Sequence, residues 1–104
     1  MKETEDIKVD SIDDFGKFVN AMELNTRYLL PENSRYKWVK IEKGKEYFSK
    51  EIYYTWAMEY NYNVARTTGY IYPFAGSNMI RTFKTEKGAK KNFEKKYADY
   101  FNSL

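Results

Sequence analysis

From Ile52 to Val64 the chain reads IYYTWAMEYNYNV, and its even positions, Ile52, Tyr54, Trp56, Met58, Tyr60, Tyr62 and Val64, are all apolar or aromatic. The odd positions, Tyr53, Thr55, Ala57, Glu59, Asn61 and Asn63, are small, polar or amphipathic. A period of two gathers one set of side chains on one face of an extended strand, whereas a helix would spread them around its circumference. The pattern predicts a long central β-strand with a buried even face and an odd face, beginning at Tyr53, that is available for contact. A helix capped at Ser49-Lys50-Glu51 would align Ile52, Trp56 and Tyr60 at i, i+4 and i+8, and this second reading stays open.

On the N-terminal side, residues 1–6 are charged and expected to fray, and Ile7 and Val9 alternate with Lys8 and Asp10 as in a short edge strand. Ser11 followed by Asp14 resembles a capping box, and Ile12, Phe15, Val19 and Met22 follow at helical spacing, which predicts a helix from about Ile12 to Leu24. Gly16 inside that helix suits close packing against the sheet. After a connection through Pro31 the residues Tyr36, Trp38 and Lys40 share one face of a strand from about Arg35 to Glu42, with Lys37, Val39 and Ile41 on the other. Lys43-Gly44 reads as a hairpin tip, with Glu46 to Phe48 starting the return.

On the C-terminal side, Gly69 and the Ala75-Gly76-Ser77-Asn78 run read as turns around a short strand carrying Tyr70, Tyr72 and Phe74. Met79, Arg81 and Phe83 mark a last strand, and Thr85 caps a final helix with Ala89, Phe93, Tyr97, Tyr100 and Phe101 on its apolar face. The expected fold is α+β: one domain over residues 1–104, with an antiparallel sheet of three to four strands flanked by an N-terminal and a C-terminal helix. The order is α-β-β-β(-β)-α, in two layers.

Composition narrows the chemistry. With no cysteine and no histidine among 104 residues, a disulfide framework, thiolate chemistry, Cys-ligated metal sites and the commonest general base and metal ligand are all excluded. The acids Glu3, Glu5, Asp6, Asp10, Asp13 and Asp14 lack the alternating ligands and central glycine of a calcium loop, and Glu51 and Glu59 have no recognisable acid–base partner. We therefore expect a non-enzymatic protein with no metal and no cofactor. The start of the chain offers no apolar leader and no stretch approaches membrane-spanning length, so a cytoplasmic setting without membrane contact is expected.

Charge is uneven. Residues 1–34 carry four basic and eight acidic side chains, residues 35–104 fourteen basic and seven acidic. That favours an anionic partner for the C-terminal part. Arg81, Lys84, Lys87, Lys90 and Lys91 bracket the start of the last helix, where unpaired backbone N–H groups and the helix dipole also attract phosphate; a solvated lysine face is the plainer alternative. Eleven tyrosines exceed what a core this small buries, and Tyr53 with Arg66 would form an aromatic-basic patch able to stack bases or fill a protein pocket.

The α-β-β-β-α order with Lys84-Thr85-Glu86-Lys87-Gly88-Ala89-Lys90-Lys91 at the last helix resembles a double-stranded-RNA-binding domain. In composition the chain, short and rich in Lys, Asn and Tyr without Cys or His, resembles accessory proteins of phages or mobile elements of low-GC bacteria, a class that includes anti-CRISPR inhibitors. These resemblances imply binding to nucleic acid or a nucleoprotein complex inside a bacterial host, or inhibition of a host defence nuclease through a tyrosine-rich surface. A homodimer joined along a strand edge is a further expectation.

Overall fold

A computed structural model describes residues 6–61 and 82–102. Along these run β1 (Ile7–Lys8), α1 (Phe15–Ala21), β2 (Tyr28–Leu29), β3 (Tyr36–Lys45), β4 (Ile52–Tyr60) and α2 (Glu86–Phe101). The class is α+β, with a four-stranded sheet in the order β1-β2-β3-β4. Two of its pairs are antiparallel, but β1 lies parallel to β2, held by bonds from Ile7 N–H to Arg27 O and from Val9 N–H to Leu29 O. The departure from an all-antiparallel sheet has a simple cause: α1 is a crossover between neighbouring strands, and a crossover returns the chain in its original direction.

Ile52–Tyr60 is strand and not helix, as the period of two predicts, and of its even face Trp56 and Met58 lie in the core while Ile52 is exposed. Its partner β3 carries a β-bulge between Tyr36 and Trp38, where Lys37 is the extra residue. The bulge switches the phase of the strand, so Tyr36 joins Val39 and Ile41 in the core while Trp38, Lys40 and Glu42 face the other way. The expected grouping of Tyr36 with Trp38 and Lys40 is thereby corrected. The hairpin also runs past Lys43-Gly44, pairing as far as Lys45 with Ile52, and it turns over Glu46–Glu51. Gly44 stays in the strand because the Tyr53 ring lies across it; an added Cβ there would sit 2.6 Å from the Tyr53 hydroxyl oxygen.

Helix α1 is shorter than its apolar spacing predicts. Asp14, not Ser11, is the N-cap, accepting the Lys17 N–H at 3.2 Å, and Met22 ends the helix in extended geometry. The helix runs antiparallel to α2, since Phe15 N–H donates to Asn102 Oδ1 at 2.7 Å at one end while the other end meets Lys90. Gly16 faces α2 and not the sheet: a Cβ on it would lie 2.8 Å from Glu94 Oε2.

The core is built from Phe15 and Val19 of α1, Val39 and Ile41 of β3, Trp56 and Met58 of β4, and Phe93 and Phe101 of α2. Trp56 stacks on Phe93 with 5.1 Å between ring centroids and donates its indole N–H to Asn92 Oδ1 at 2.9 Å. Phe15 stacks on Phe101 at 4.6 Å. Two tyrosine hydroxyls accept backbone bonds, Tyr28 from Glu23 N–H and Tyr100 from Arg35 N–H, which satisfies polar tips carried into the core's margin.

The odd face of β4 is not the open surface that its polarity suggests. Thr55 and Ala57 are 1% and 0% exposed, and Trp38, paired with Glu59 on the same face, is 5% exposed. On this face Trp38 donates to Glu59 Oε1 at 2.6 Å and Lys40 pairs with Glu42 at 2.9 Å. Small side chains at 55 and 57 allow close cover, and the charged groups meet partners within the sheet. The expected strand at Tyr70, Tyr72 and Phe74 lies outside the described residues. Of the expected last strand only Phe83 is described among its core positions, and it makes an antiparallel bridge to Tyr54.

Candidate functional site

Thr85 starts α2 as expected, its hydroxyl accepting the Gly88 N–H at 2.9 Å. Lys84, Lys87 and Lys91 stand exposed around this start, the latter two one turn apart on the same face. Lys90 does not join them. Its ammonium is buried at the C-terminal end of α1, donating to Asn20 O at 3.2 Å and Met22 O at 3.0 Å and pairing with Glu86 at 2.8 Å. It supplies donors to carbonyls that a helix leaves without intrahelical partners. The sequence carried a signal for this: Lys90 precedes Phe93 by three residues and follows Glu86 by four, which puts it at the edge of the buried stripe.

Tyr53 is half-buried over Gly44 and belongs to the hairpin's own packing. Arg66 and Arg81, the other cations expected at the site, lie outside the described residues. Of the expected binding residues, Lys84, Lys87 and Lys91 stand exposed around the start of α2, Lys90 is buried against α1, and Tyr53 packs over Gly44 next to Tyr54, which bridges to Phe83.

Beside these lysines lies a feature that strand alternation did not reveal. The tip of the β3–β4 hairpin carries Tyr47 and Phe48, 75% and 84% exposed, with Ile52 next to them 49% exposed. The two rings meet edge to face, 4.8 Å apart at 84°, and the Lys50 ammonium lies 5.2 Å from the Tyr47 ring centre. The loop is fixed by its own hydrogen bonds. Glu46 Oε1 accepts the N–H groups of Phe48 at 2.8 Å and Ser49 at 2.6 Å, Glu46 N–H reaches Glu51 O, and Lys50 N–H returns to Glu46 O. Lys50 takes the left-handed backbone, φ 63°, that closes the turn. The bond from the Ser49 N–H first, then that from the Ser49 side chain, with a smaller contribution from the Phe48 N–H, holds the Glu46 carboxyl below the ordinary glutamate range.

The bridge between Tyr54 and Phe83, with backbone bonds of 2.8 and 2.7 Å, brings the lead-in of α2 to this end of the sheet. Tyr54 is two residues from Ile52, roughly 7 Å along a strand. One end of the molecule therefore presents two ring systems together with exposed Lys43, Lys45, Lys50, Lys84, Lys87 and Lys91. Across residues 43–51 and 82–91 seven lysines stand against three glutamates, and Glu86 is taken by Lys90. The surface can attract phosphates and offer aromatic contact. Among the described residues no group of three or more Asp, Glu, His or Cys is placed to hold a metal ion, and no helix is long and apolar enough to cross a membrane.

Compared with known protein families, with curated proteins and with solved structures, the chain matches none.

Proposed function

We propose that this chain is a non-enzymatic binding protein, of the phage or mobile-element type, that engages nucleic acid or a nucleoprotein inside a bacterial cell. The binding surface is the end formed by the β3–β4 hairpin tip and the start of α2. In this reading the two helices form one layer over the sheet and leave that end open. One observation carries it: the Tyr47 and Phe48 rings stand in solvent on a loop whose hydrogen bonds use neither of them, beside a cluster of exposed lysines. Adjacent exposed rings are costly to leave without a partner, and a cationic surround selects an anionic one.

Salt titration of binding tests the reading. With Lys84, Lys87 and Lys91 each meeting one duplex phosphate, log affinity falls against log salt with a slope of about −3. Lys87→Ala should reduce that slope by about one. Absence of binding to DNA and RNA at low salt refutes the reading.

A second reading is favoured by the rigidity of the same tip. A pre-organised aromatic pair is the kind of anchor that dominates protein interfaces, which suits an inhibitor docking on a host defence nuclease. Capture of such a nuclease with loss of its activity supports it, and retention of the nuclease by a Tyr47→Ala/Phe48→Ala variant counts against it.

A further inference from the structure

Resting on the nucleic-acid reading, we propose that Phe48 is a stacking platform for an unpaired base, so that the hairpin end prefers single-stranded nucleic acid to duplex. Phe48 is 84% exposed, which leaves its ring open to solvent, and Tyr47 supports it from the side through the edge-to-face contact at 4.8 Å. Its backbone N–H is tied to the Glu46 carboxylate at 2.8 Å, which fixes the main chain from which the exposed ring projects. A Phe ring on a fixed main chain has only two side-chain torsions to order when a base stacks on it.

Three features separate this partner from others. In a duplex the base faces are already stacked on one another, and a single ring reaches them only after unstacking, whereas a single strand offers them freely. A lipid surface would draw the tip into the interface with the Glu46 carboxylate two residues from Phe48, at a desolvation cost; stacking leaves that carboxylate in water. Lys43, Lys45 and Lys50 on the hairpin, with Lys84, Lys87 and Lys91 near it, give a cation excess suited to a run of phosphates leading up to the stacked base.

The experiment compares the full chain and Phe48→Ala on labelled oligothymidylate and on a duplex of equal length, by fluorescence anisotropy over a range of salt. Circular dichroism checks folding, which an exposed ring should not alter. The expected result is tighter single-strand binding by the natural chain. Phe48→Ala should weaken it on the order of 5–100-fold, and more than it weakens duplex binding, with the salt slope unchanged. Phe48→Trp should retain the affinity.

If Phe48→Ala binds oligothymidylate as well as the natural chain does, stacking is overturned while the lysine-based reading stands. Absence of binding to either nucleic acid at low salt overturns both. Binding to anionic phosphatidylserine vesicles that Phe48→Ala abolishes, together with unchanged oligothymidylate binding, assigns the tip to a membrane and overturns the proposal.

Discussion

Lys90 is where the difference between scaffold and site can be measured on one helix. Its ammonium makes two bonds to carbonyls at the end of α1 and an ion pair to Glu86 one turn earlier in α2. Hydrogen bonds involving a charged group contribute about 1.5–3 kcal/mol each, but removing both at one site gives less than the sum, because the freed carbonyls recover some water. The i,i+4 pair, with Glu86 41% exposed, adds only about 0.3–0.5 kcal/mol. Lys90→Ala should therefore destabilise the domain by roughly 2–4 kcal/mol. Lys90→Met keeps the packing of the aliphatic stem and should recover only a minor part of that loss.

Urea unfolding followed by tryptophan fluorescence reads the effect as a drop in midpoint of roughly 1–3 M at unchanged slope. Lys87→Ala, exposed on the same helix, should change stability by less than about 0.5 kcal/mol. If Lys90→Ala proves as mild as Lys87→Ala, the ammonium does not hold α1 to α2, and Lys90 returns to the binding surface with its neighbours.

Trp56→Ala removes a ring that stacks on Phe93 and is 6% exposed, so it should cost about 3–5 kcal/mol in the same assay. Gly44→Ala should cost about 1 kcal/mol or less, because its Cβ meets only the outer end of the half-buried Tyr53 ring, which can swing aside, and in a Tyr53→Ala background that cost should vanish, a coupling that thermal melts of the double-mutant cycle detect. Because the Glu46 carboxyl is held below its ordinary range, the order it gives the loop is fully present above the unfolded glutamate value and is lost as pH falls through the folded one; protection of the Phe48 and Ser49 amides relative to their intrinsic exchange rates should fall over that acid interval, and not in Glu46→Gln. Tyr47→Ser/Phe48→Ser should leave the unfolding midpoint within about 0.5 kcal/mol of the natural chain; a loss above about 1 kcal/mol would show that the rings are structural.

The elements with strong periodicity were legible in the sequence. Ile52–Tyr60 alternates over nine residues, and α2 announces itself through the Thr85 cap and the spacing of Ala89, Phe93 and Phe101. The phase of β3 was not legible, because Trp38 and Val39 are consecutive large apolar residues and either parity gives an acceptable face; only pairing with β4 places the extra residue at Lys37. The short edge strand at Ile7 was legible, but its parallel partner Tyr28–Leu29 was not, since a strand of two residues carries no period and lies in what reads as a connection. At α1, Ser11 and Asp14 are both competent caps, and the contact of Phe15 N–H with Asn102, distant in sequence, accompanies the choice of the later one.

The hairpin tip was hidden for a different reason. Turn chemistry assigns glycine to the tip, and Gly44 was the available glycine, yet the chain uses it inside the strand as the floor for Tyr53. The turn is instead formed by a carboxylate: Glu46 bonds the N–H groups of residues 48 and 49, and Lys50 accepts the left-handed backbone. Every one of these bonds uses main chain, Glu46 or the Ser49 hydroxyl, so the Tyr47 and Phe48 rings take no part in the loop's hydrogen bonding. Small polar residues would serve the turn as well and stay soluble more cheaply. On the proposed reading the two rings make their contact outside the chain, and the neighbouring lysines would suit an anionic partner there.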